Sequence, residues 1–434
     1  MSKTRRALSK TLAIIVIVVV IIAAVGGGAM WYMSQPSVTS VTSVTSVSSA
    51  SAEGPVKIGI ILPLTGGDAY SGQLMQQGAL MGEKYVNDHG GILGRPIKVL
   101  VEDDKSDLPT AVQAATKLVT QDHVIALGDF YKTFITVGVY SSASEKYHIL
   151  TFTAGWVTEL TGVDSSGKPN NPLMFRAGPH INAQTDQWVN FIETIAAESN
   201  RGKIALYSEN DDYGRGFQDP VAAALKANGK VQVVYNNYHD YAATDFTADL
   251  ANAKASGADL FWSATVSANV MTMIKQASLN GLSQHAIMMT VADGFYFTDE
   301  YAKTLGSAGD HVIITNFHKA GTKYTDMTPV MDQLYFQMGY GPRVPYYITM
   351  QVFQDVLLIA HAANTAGSTS TDAMIKALET TSFTGPWGVI TFPSSGPSYH
   401  QWTPSMLFEQ YQDLTLKVVY PTAVAEAKII LPSG

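Results

Sequence analysis

Short apolar runs alternate with stretches of helical periodicity along most of the chain. Val56–Leu62 is almost continuously apolar, which is typical of a buried parallel strand. The next segment, residues 72–87, places Met75 and Val86 on one helical face, and Gly90 follows it as a C-cap glycine does. The alternation repeats to about residue 152 and restarts near residue 183. This pattern predicts parallel sheets covered by helices on both faces.

The same pattern sets the expected elements. Strands are predicted at 56–62, 97–101, 124–127, 149–152, 203–207, 231–235, 260–264, 286–290 and 312–316, with hairpin strands within 385–392 and 405–419. Helices are predicted at 72–87, 108–120, 133–146, 183–198, 217–228, 246–256, 268–279, 329–338, 346–364 and 371–380. Residues 170–178 are predicted to be a crossover between the two blocks.

Two blocks of alternating strands and helices, with a late return to the first, predict a body of two lobes around a cleft. We expect lobe 1 to contain residues 55–177 and 318–382, and lobe 2 to contain residues 178–317 and 383–434. A chain of this length exceeds one ordinary hydrophobic core. In open α/β sheets, ligands bind beyond the carboxyl ends of the strands, so candidate site residues are sought there.

The first residues predict a membrane anchor. A basic segment, residues 1–11, precedes an uncharged apolar run, residues 12–33, and a Ser/Thr-rich linker, residues 34–54. At about 1.5 Å per residue the run would reach roughly 33 Å as a helix, which spans a hydrocarbon core of about 30 Å. We expect a transmembrane helix with its basic flank in the cytoplasm. Cleavage as a secretory signal is the alternative.

A third interpretation rests on the residues just before the apolar run. Arg6-Ala7-Leu8-Ser9 resembles the class III, pilin-type signals of some archaeal binding proteins, in which cleavage after the residue matching Ala7 leaves the apolar segment in place. This pilin-like start indicates an archaeal protein. With the anchor retained, the body is expected to be extracellular at the cell surface, held to the cytoplasmic membrane. Because the chain has no cysteine, a lipid-modified cysteine and disulfides are excluded.

Composition and motifs exclude several classes of function. The formal net charge of −8 argues against nucleic acid as a partner. The histidines show no paired metal-ligand spacing, and neither a phosphate-binding loop nor a nucleophile elbow follows a predicted strand. We therefore expect no metal, no cofactor and no catalytic residue, and the protein is predicted not to be an enzyme.

Seven segments in order along the body carry a resemblance to a known family. They are 58–66 (IGIILPLTG), 87–95 (NDHGGILGR), 102–104 (EDD), 158–161 (TELT), 174–176 (MFR), 212–214 (DYG) and 383–388 (FTGPWG). With this order and spacing, the chain resembles the solute-binding proteins of ABC importers of the branched-chain amino acid (Leu/Ile/Val) type. The resemblance covers nearly all of the chain from residue 56 onward.

The resemblance implies a two-lobe, type I periplasmic-binding (Venus-flytrap) α/β fold with parallel sheets. It also implies a receptor that closes on an amino acid and delivers it to an ABC permease in the membrane. A membrane-anchored ectodomain that senses a ligand is the second hypothesis, although only the short segment 1–11 would lie in the cytoplasm. An importer receptor for an amide-like solute is a further alternative.

In the first lobe, the resemblance places ligand contacts in two loops. The family's ligand-binding serine falls at Lys132 or Thr133, where Thr133 has the hydroxyl but could instead be only a helix N-cap. Lys132 could bind a carboxylate or point to solvent. The loop after the fourth strand supplies Thr153 and Ala154. It also carries Trp156 in place of a small residue, and Trp156 is expected either to stack on the ligand or to pack into the hinge.

Three further positions complete the implied site. Tyr70 and Tyr213 match aromatic residues that contact ligand in the family, and for both the alternative is packing at the cleft rim. Asp293 follows the strand at 286–290, where the family places the acid that holds the α-ammonium group; the alternative is a turn-forming aspartate. The family's second-lobe tyrosine has no counterpart near residue 265, so Thr265 or Ser267 would have to replace it. Aromatic residues including Phe130 and Tyr347 are further candidates for the pocket wall.

Overall fold

The computed structural model describes residues 54–432 apart from 67, 266–268, 292–298, 320, 342–344 and 414. The predicted anchor at 12–33, its basic flank and almost all of the linker lie outside the described residues. In the described ranges, no helix is both long enough and apolar enough to cross a membrane.

Most strands and helices lie where the hydrophobic pattern predicts them, although the helix Asp299–Leu305 was not predicted. The strands are β1 Val56–Leu62, β2 Ile97–Asp103, β3 Ala126–Phe130, β4 Leu150–Thr153, β5 Met174–Ala177, β6 Lys203–Glu209, β7 Gln232–His239, β8 Leu260–Ser263, β9 Ile287–Thr290, β10 Ile313–Asn316, β11 Phe383–Gly385, β12 Gly388–Ile390, β13 Gln401–Trp402, β14 Leu407–Gln412 and β15 Thr415–Tyr420. The helices are α1 Ala69–Asp88, α2 Leu108–Thr120, α3 Thr133–Val139, α4 Ile181–Ser199, α5 Asp212–Asn228, α6 Thr247–Ala255, α7 Asn269–Leu279, α8 Asp299–Leu305, α9 Met327–Gln337, α10 Tyr347–Ala366 and α11 Thr371–Thr380.

Local chemistry explains why several elements begin where the sequence predicts. Helix α2 starts at Leu108 because the carboxylate of Asp107 accepts the backbone N–H of Thr110 at 2.9 Å and a proline occupies the first turn. The helix predicted at 133–146 is less regular than expected. After α3 it continues as a π-helical segment, Tyr140–Ser144, and a last turn, Glu145–Tyr147.

In the described residues the strands form three sheets, namely the small antiparallel pair β11-β12 and two large sheets, one in each domain. The first large sheet has the order β13-β5-β4-β3-β1-β2, and every pairing in it is parallel. The second has the order β15-β14-β10-β9-β8-β6-β7; β6 to β10 are parallel, and β14 and β15 are added antiparallel. A two-domain α/β body with parallel sheets is thus confirmed.

Two connections between the sheets differ from the prediction. Residues 170–178, predicted to be only a crossover, contain β5, and the chain leaves the first sheet between β5 and α4. The last return was predicted at residue 383. Instead, β13 pairs with β5 through Gln401 and Arg176, so the chain leaves the first sheet only after Trp402. Strand β13 has only two residues, and the charged Arg176 interrupts the apolar pattern of β5.

Helix α10 forms the centre of the first domain. Almost all of its residues from Tyr347 to Ala363 are buried, because it packs against α1, α11 and the sheet. Its approach to α1 is close: a Cβ atom added to Gly78 would lie 2.1 Å from the carbonyl oxygen of Thr349. The hydroxyl of Thr349 donates to the carbonyl of Leu74 at 2.9 Å. Helix α10 thereby fixes the start of α1, which borders the candidate site.

Candidate functional site

The strand order produces a crevice at the carboxyl edge of each sheet. In the first sheet, β1 lies between β2 and β3, so the connections after β1 and β3 diverge to opposite faces. The second sheet has the same arrangement, with β6 between β7 and β8. Residues that follow β1, β3, β6 and β8 are therefore the residues best placed to bind a ligand.

An ion pair occupies the crevice of the first sheet. Asp68 follows β1 and Lys132 follows β3, and Lys132 Nζ lies 3.1 Å from Asp68 Oδ1. The side chain of Lys132 is 33% exposed and also lies over the ring of Tyr131, 5.2 Å from its centroid. The charge of Lys132 is therefore shared with Asp68 rather than directed wholly to solvent.

The second domain faces this ion pair. Burial raises the pKa of the Tyr241 phenol, which follows β7, and the charges of Lys132 and Asp68 from the first domain also act on it. So do the carboxylates of Glu209 and Asp211, which lie at the carboxyl end of β6. The two crevices therefore face each other across one cleft.

The candidate residue Thr133 begins a helix at this edge. Lys132 is the N-cap residue of α3 and Thr133 is the first helical residue, so the N-cap alternative for Thr133 does not describe this structure. Thr136, one turn further on, bonds back to the carbonyl of Lys132 through its backbone N–H at 3.0 Å. Thr133 is partly exposed at the end of the helix where backbone N–H groups attract anions.

The loop after β4 is tightly folded. Thr153 is fully buried; its hydroxyl oxygen accepts the N–H of Gly155 at 3.0 Å and lies 3.3 Å from the hydroxyl of Thr136. Ala154 is only 4% exposed. A Cβ atom on Gly155 would lie 2.6 Å from Leu160 Cδ1, so a larger residue there would have to displace the Leu160 side chain. The hydroxyl of Thr153 thus shapes the loop that carries Trp156.

Trp156 joins the two domains through aromatic contacts. Its ring centroid lies 5.6 Å from that of Tyr213 at the start of α5, 5.9 Å from Tyr347 at the start of α10, and 6.5 Å from Phe317 after β10. Phe317 and Tyr347 are themselves 5.3 Å apart. These four residues are called the cleft aromatic cluster below. Trp156 and Tyr213, predicted separately from different lobes, are brought into contact.

Sequence reasoning missed one member of this cluster. Phe317 directly follows β10, so the rule that sites form beyond strand ends would have found it. Phe130 was a candidate for the pocket wall, but it is fully buried in β3 and packs in the core between the first sheet and α2. The other predicted contacts are distributed differently. Tyr70 lies in the first turn of α1 and is 43% exposed, and Asp293 lies outside the described residues.

A second polar network lies at the carboxyl end of β8. Thr265 is fully buried, and its hydroxyl lies 2.9 Å from His239 Nε2 and 2.8 Å from the hydroxyl of Ser263. Its hydrogen-bonding capacity is therefore used inside the second domain. Ser267, the other residue considered as a replacement for the family's tyrosine, lies outside the described residues.

Two basic side chains lie behind the cleft. Burial lowers the pKa of Arg176 to about 9, so its guanidinium is still protonated at neutral pH. Burial and the nearby Arg176 charge lower the pKa of His180 to about 3, so its imidazole is neutral there. His180 is the N-cap residue of α4, and the next backbone N–H, that of Ile181, donates to the carbonyl of Trp156 at 3.0 Å. The crossover between the domains and the Trp156 loop are thus directly bonded.

This architecture, two parallel-sheet domains facing each other across a cleft, agrees with comparisons to known proteins. The chain belongs to the periplasmic binding protein family, whose family model matches residues 55–413. An amino acid binding protein from Pseudomonas aeruginosa is 29% identical over 255 residues, covering 58% of this chain and 63% of that relative. The match therefore spans less than two thirds of the Pseudomonas protein. A Leu/Ile/Val-binding protein homologue from Brucella abortus is 25% identical over 394 residues, covering 88% of this chain and 95% of that protein.

Solved structures show the same fold. A branched-chain amino acid transporter substrate-binding protein from Streptococcus pneumoniae, in complex with isoleucine, aligns with a TM-score of 0.69 at 20% identity, covering 83% of this chain and 97% of that chain. A leucine binding protein from Thermotoga maritima aligns with a TM-score of 0.70 at 17% identity, covering 84% of this chain and 97% of that chain. The type I periplasmic-binding fold predicted from the sequence is therefore confirmed.

Proposed function

We propose that this protein is the extracellular receptor of an ABC importer and binds an amino acid, branched-chain or otherwise hydrophobic, between its two domains. The observation that carries the proposal is the contact of Trp156 with Tyr213, which joins the ligand-binding edges of the two sheets at one point. The Pseudomonas and Brucella relatives, described as binding an amino acid or Leu/Ile/Val, support the ligand class.

Each domain would supply a different part of the site. In the first domain, Thr133 and the first turn of α3, Lys132, and the backbone around Thr153 and Ala154 would receive the ligand carboxylate. The side chain of Lys132 can contribute only if it shares its charge between the ligand and Asp68, 3.1 Å away. The apolar side chain of the ligand would pack against Trp156.

The second domain would hold the opposite end of the ligand. Tyr213 would contact the ligand beside Trp156, Tyr70 would cover it from the rim of the first domain, and Asp293 would bind the α-ammonium group. A carboxylate–ammonium contact is charge-assisted and is among the stronger contacts a small-molecule site can make.

Binding would act by shifting a conformational equilibrium. A ligand that contacts both domains favours the closed form by the difference of its affinities for the closed and open forms. The moving bodies would be the two sheets with their helices, linked by the crossovers after β5, β10 and β13. The permease would then recognise the closed form, and the ligand would be released to it.

The location follows from the chain's first residues. We propose that residues 12–33 anchor the protein in the cytoplasmic membrane, with residues 1–11 inside and the Ser/Thr-rich linker holding the body near the permease outside. The uncharged length of the apolar run and its basic flank support this arrangement. A receptor of this kind has no catalytic role.

An amide-like solute without an ammonium group is the second candidate ligand. One observation favours this candidate. The Thr265 hydroxyl is hydrogen-bonded to His239 and Ser263 inside the second domain, rather than available to a ligand ammonium group. The replacement of a small residue by Trp156 also makes the first-domain loop less polar than the resemblance implies.

A thermal-shift screen distinguishes the two candidates. The full-length chain, in mild detergent because of residues 12–33, would be screened against L-leucine, L-isoleucine, L-valine, L-phenylalanine, acetamide and urea. Stabilisation by an aliphatic amino acid, lost in both Asp293→Ala and Asp293→Asn, is the expected result. Asparagine preserves turn formation and removes only the charge, so it separates the two roles of Asp293. Stabilisation only by amides would contradict the amino acid proposal.

Asp164→Ala is the matched control for these variants. The carboxylate of Asp164 accepts the backbone N–H groups of Ser166 and Lys168 and therefore only stabilises a surface turn. Its replacement should lower the melting temperature without changing the shift that the amino acid produces.

A further inference from the structure

Arg176 is a fully buried arginine whose hydrogen bonds all end on neutral oxygen atoms. Nη1 donates to the carbonyls of Gly155 and Val157, both at 2.7 Å. Nε donates to the side-chain carbonyl of Gln401 at 2.5 Å, and Nη2 donates to the hydroxyl of Thr161 at 2.9 Å. The residue lies in β5, directly behind the loop that follows β4.

These bonds fix the backbone on both sides of Trp156. One nitrogen of Arg176 holds the carbonyl before Trp156 and the carbonyl after it. The carbonyl of Trp156 itself accepts the N–H of Ile181 at 3.0 Å. Three successive carbonyl groups are therefore bonded on the protein side of the loop, and the indole ring contacts Tyr213 and Tyr347 on the cleft side.

Burying the charge of Arg176 costs free energy that an uncharged side chain at this position would not cost. A guanidinium removed from water is unfavourable unless its donors are well satisfied, and burial lowers the pKa of Arg176 to about 9. An apolar side chain of similar volume would avoid the cost. Only the planar guanidinium group, however, can donate at once to two backbone carbonyls, a side-chain amide oxygen and a hydroxyl. The ammonium group of lysine is a single point charge and cannot.

We propose that Arg176 is the positioning residue for Trp156 and so controls ligand affinity without touching the ligand. This inference rests on the proposed function, in which Trp156 forms one wall of the ligand site. The guanidinium holds the peptide group before Trp156 through the Gly155 carbonyl and the next peptide group but one through the Val157 carbonyl. The N–H of Ile181 holds the peptide group between them. Gln401 ties the same network to β13, the strand at which the chain finally leaves the first domain.

Fluorine NMR and calorimetry on the full-length chain test this inference together. The six tryptophans would be labelled with 5-fluorotryptophan, and Trp156→Phe would identify the resonance of Trp156. L-isoleucine is the probe for affinity. Arg176→Lys preserves the charge and loses the fork; Thr161→Val removes one acceptor and serves if Arg176→Lys does not fold. Arg201→Lys is the matched control, because Arg201 bonds the carbonyls of Asp259 and His285 in the second domain.

The expected result has two parts. Arg176→Lys or Thr161→Val should move or broaden the Trp156 resonance in the free protein and weaken L-isoleucine binding about tenfold, whereas Arg201→Lys should do neither. In a Trp156→Ala background, Arg176→Lys should have almost no further effect on affinity.

Other outcomes would overturn the inference or the function separately. An unchanged Trp156 resonance, or an equal loss of affinity in the Trp156→Ala background, would show that Arg176 does not act through Trp156. If L-isoleucine binds equally well to Trp156→Ala, Trp156 is not part of the ligand site and Arg176 does not control affinity through it. If neither L-isoleucine nor another hydrophobic amino acid binds the wild type, the proposed function fails. The Trp156 resonance of the ligand-free protein then still decides whether Arg176 positions the indole.

Discussion

The rings of Trp156 and Tyr213 lie 5.6 Å apart and come from different domains. Trp156 is held by the loop after β4 of the first sheet, and Tyr213 stands at the start of α5, after β6 of the second. Each lies beyond the carboxyl end of a strand, where α/β proteins bind ligands. Because the two rings are in contact, a movement of one domain acts directly on a side chain of the other.

Trp156 should be the most sensitive position for ligand affinity. Because the partly buried ring of Trp156 supplies a large apolar wall, Trp156→Ala should weaken amino acid binding by about 2 kcal/mol, whereas Trp156→Phe should preserve most of it. Isothermal titration measures the effect. Trp402→Phe, which changes a tryptophan outside the cleft aromatic cluster, is the control. Equal affinities for Trp156→Ala and the wild type would exclude Trp156 from the site.

Two helical glycines should respond to alanine in opposite directions. In α1, Gly78→Ala should destabilise the protein by about 1–3 kcal/mol, because its Cβ would lie 2.1 Å from the Thr349 carbonyl in α10. In α5, a Cβ on Gly216 would meet only Ile181 Cδ1, at 3.4 Å. Gly216→Ala should therefore stabilise by about 0.5–1 kcal/mol through helix propensity. Urea unfolding compares them, and a stable Gly78→Ala would contradict the close approach of α1 and α10.

A buried glutamate should make stability fall as the pH rises. Glu409 is 1% exposed; it accepts Asn316 Nδ2 at 2.9 Å, lies 3.9 Å from Lys319 Nζ, and has Glu426 and Tyr324 nearby. Burial raises its pKa from 4.5 to about 7. At this site the folded state then binds more protons than the unfolded state. The contribution of Glu409 to stability should therefore be fully present below about pH 4.5 and be lost as the pH rises through about 7.

Glu409→Gln should remove this decrease, a difference on the order of 3 kcal/mol at neutral pH. Urea unfolding from pH 4 to pH 8 measures it. Glu426→Gln provides a contrast of opposite sign. Hydrogen bonds from Lys319 and from the backbone of Val418 lower the pKa of Glu426 despite partial burial, so its loss should reduce stability mainly at neutral pH. A Glu409→Gln variant with the same pH profile as the wild type would show that Glu409 is ionised at no cost.

The regular elements of the fold could be predicted because their patterns are local. Helix α2 begins and ends at the predicted residues, since Asp107 caps it and its apolar face is periodic. Strand β5 was missed because Arg176 interrupts its apolar residues; the strand is buried only because distant partners such as Gln401 satisfy that charge. Partners so far apart along the chain leave no local signal.

The sequence predicted where the candidate site residues lie relative to the strands, but not which of their side chains contact one another. Trp156 and Tyr213 were found from the ends of strands, yet nothing in the sequence shows that their rings meet. The pairing of Lys132 with Asp68, and the internal bonds of Thr265, likewise depend on which loops the fold brings together. The proposed ammonium contact of Asp293 remains a prediction from resemblance.

The distance between the two domains, measured with and without ligand, tests ligand-driven closure most directly. Because the chain has no cysteine, Gln73→Cys in α1 and Thr244→Cys after β7, both exposed, can carry two spin labels at unique positions. With saturating L-isoleucine, pulsed electron paramagnetic resonance should show a shorter and narrower distance distribution. The Trp156→Ala variant should need more ligand to reach it. An unchanged distribution at saturating L-isoleucine would contradict ligand binding that closes the two domains.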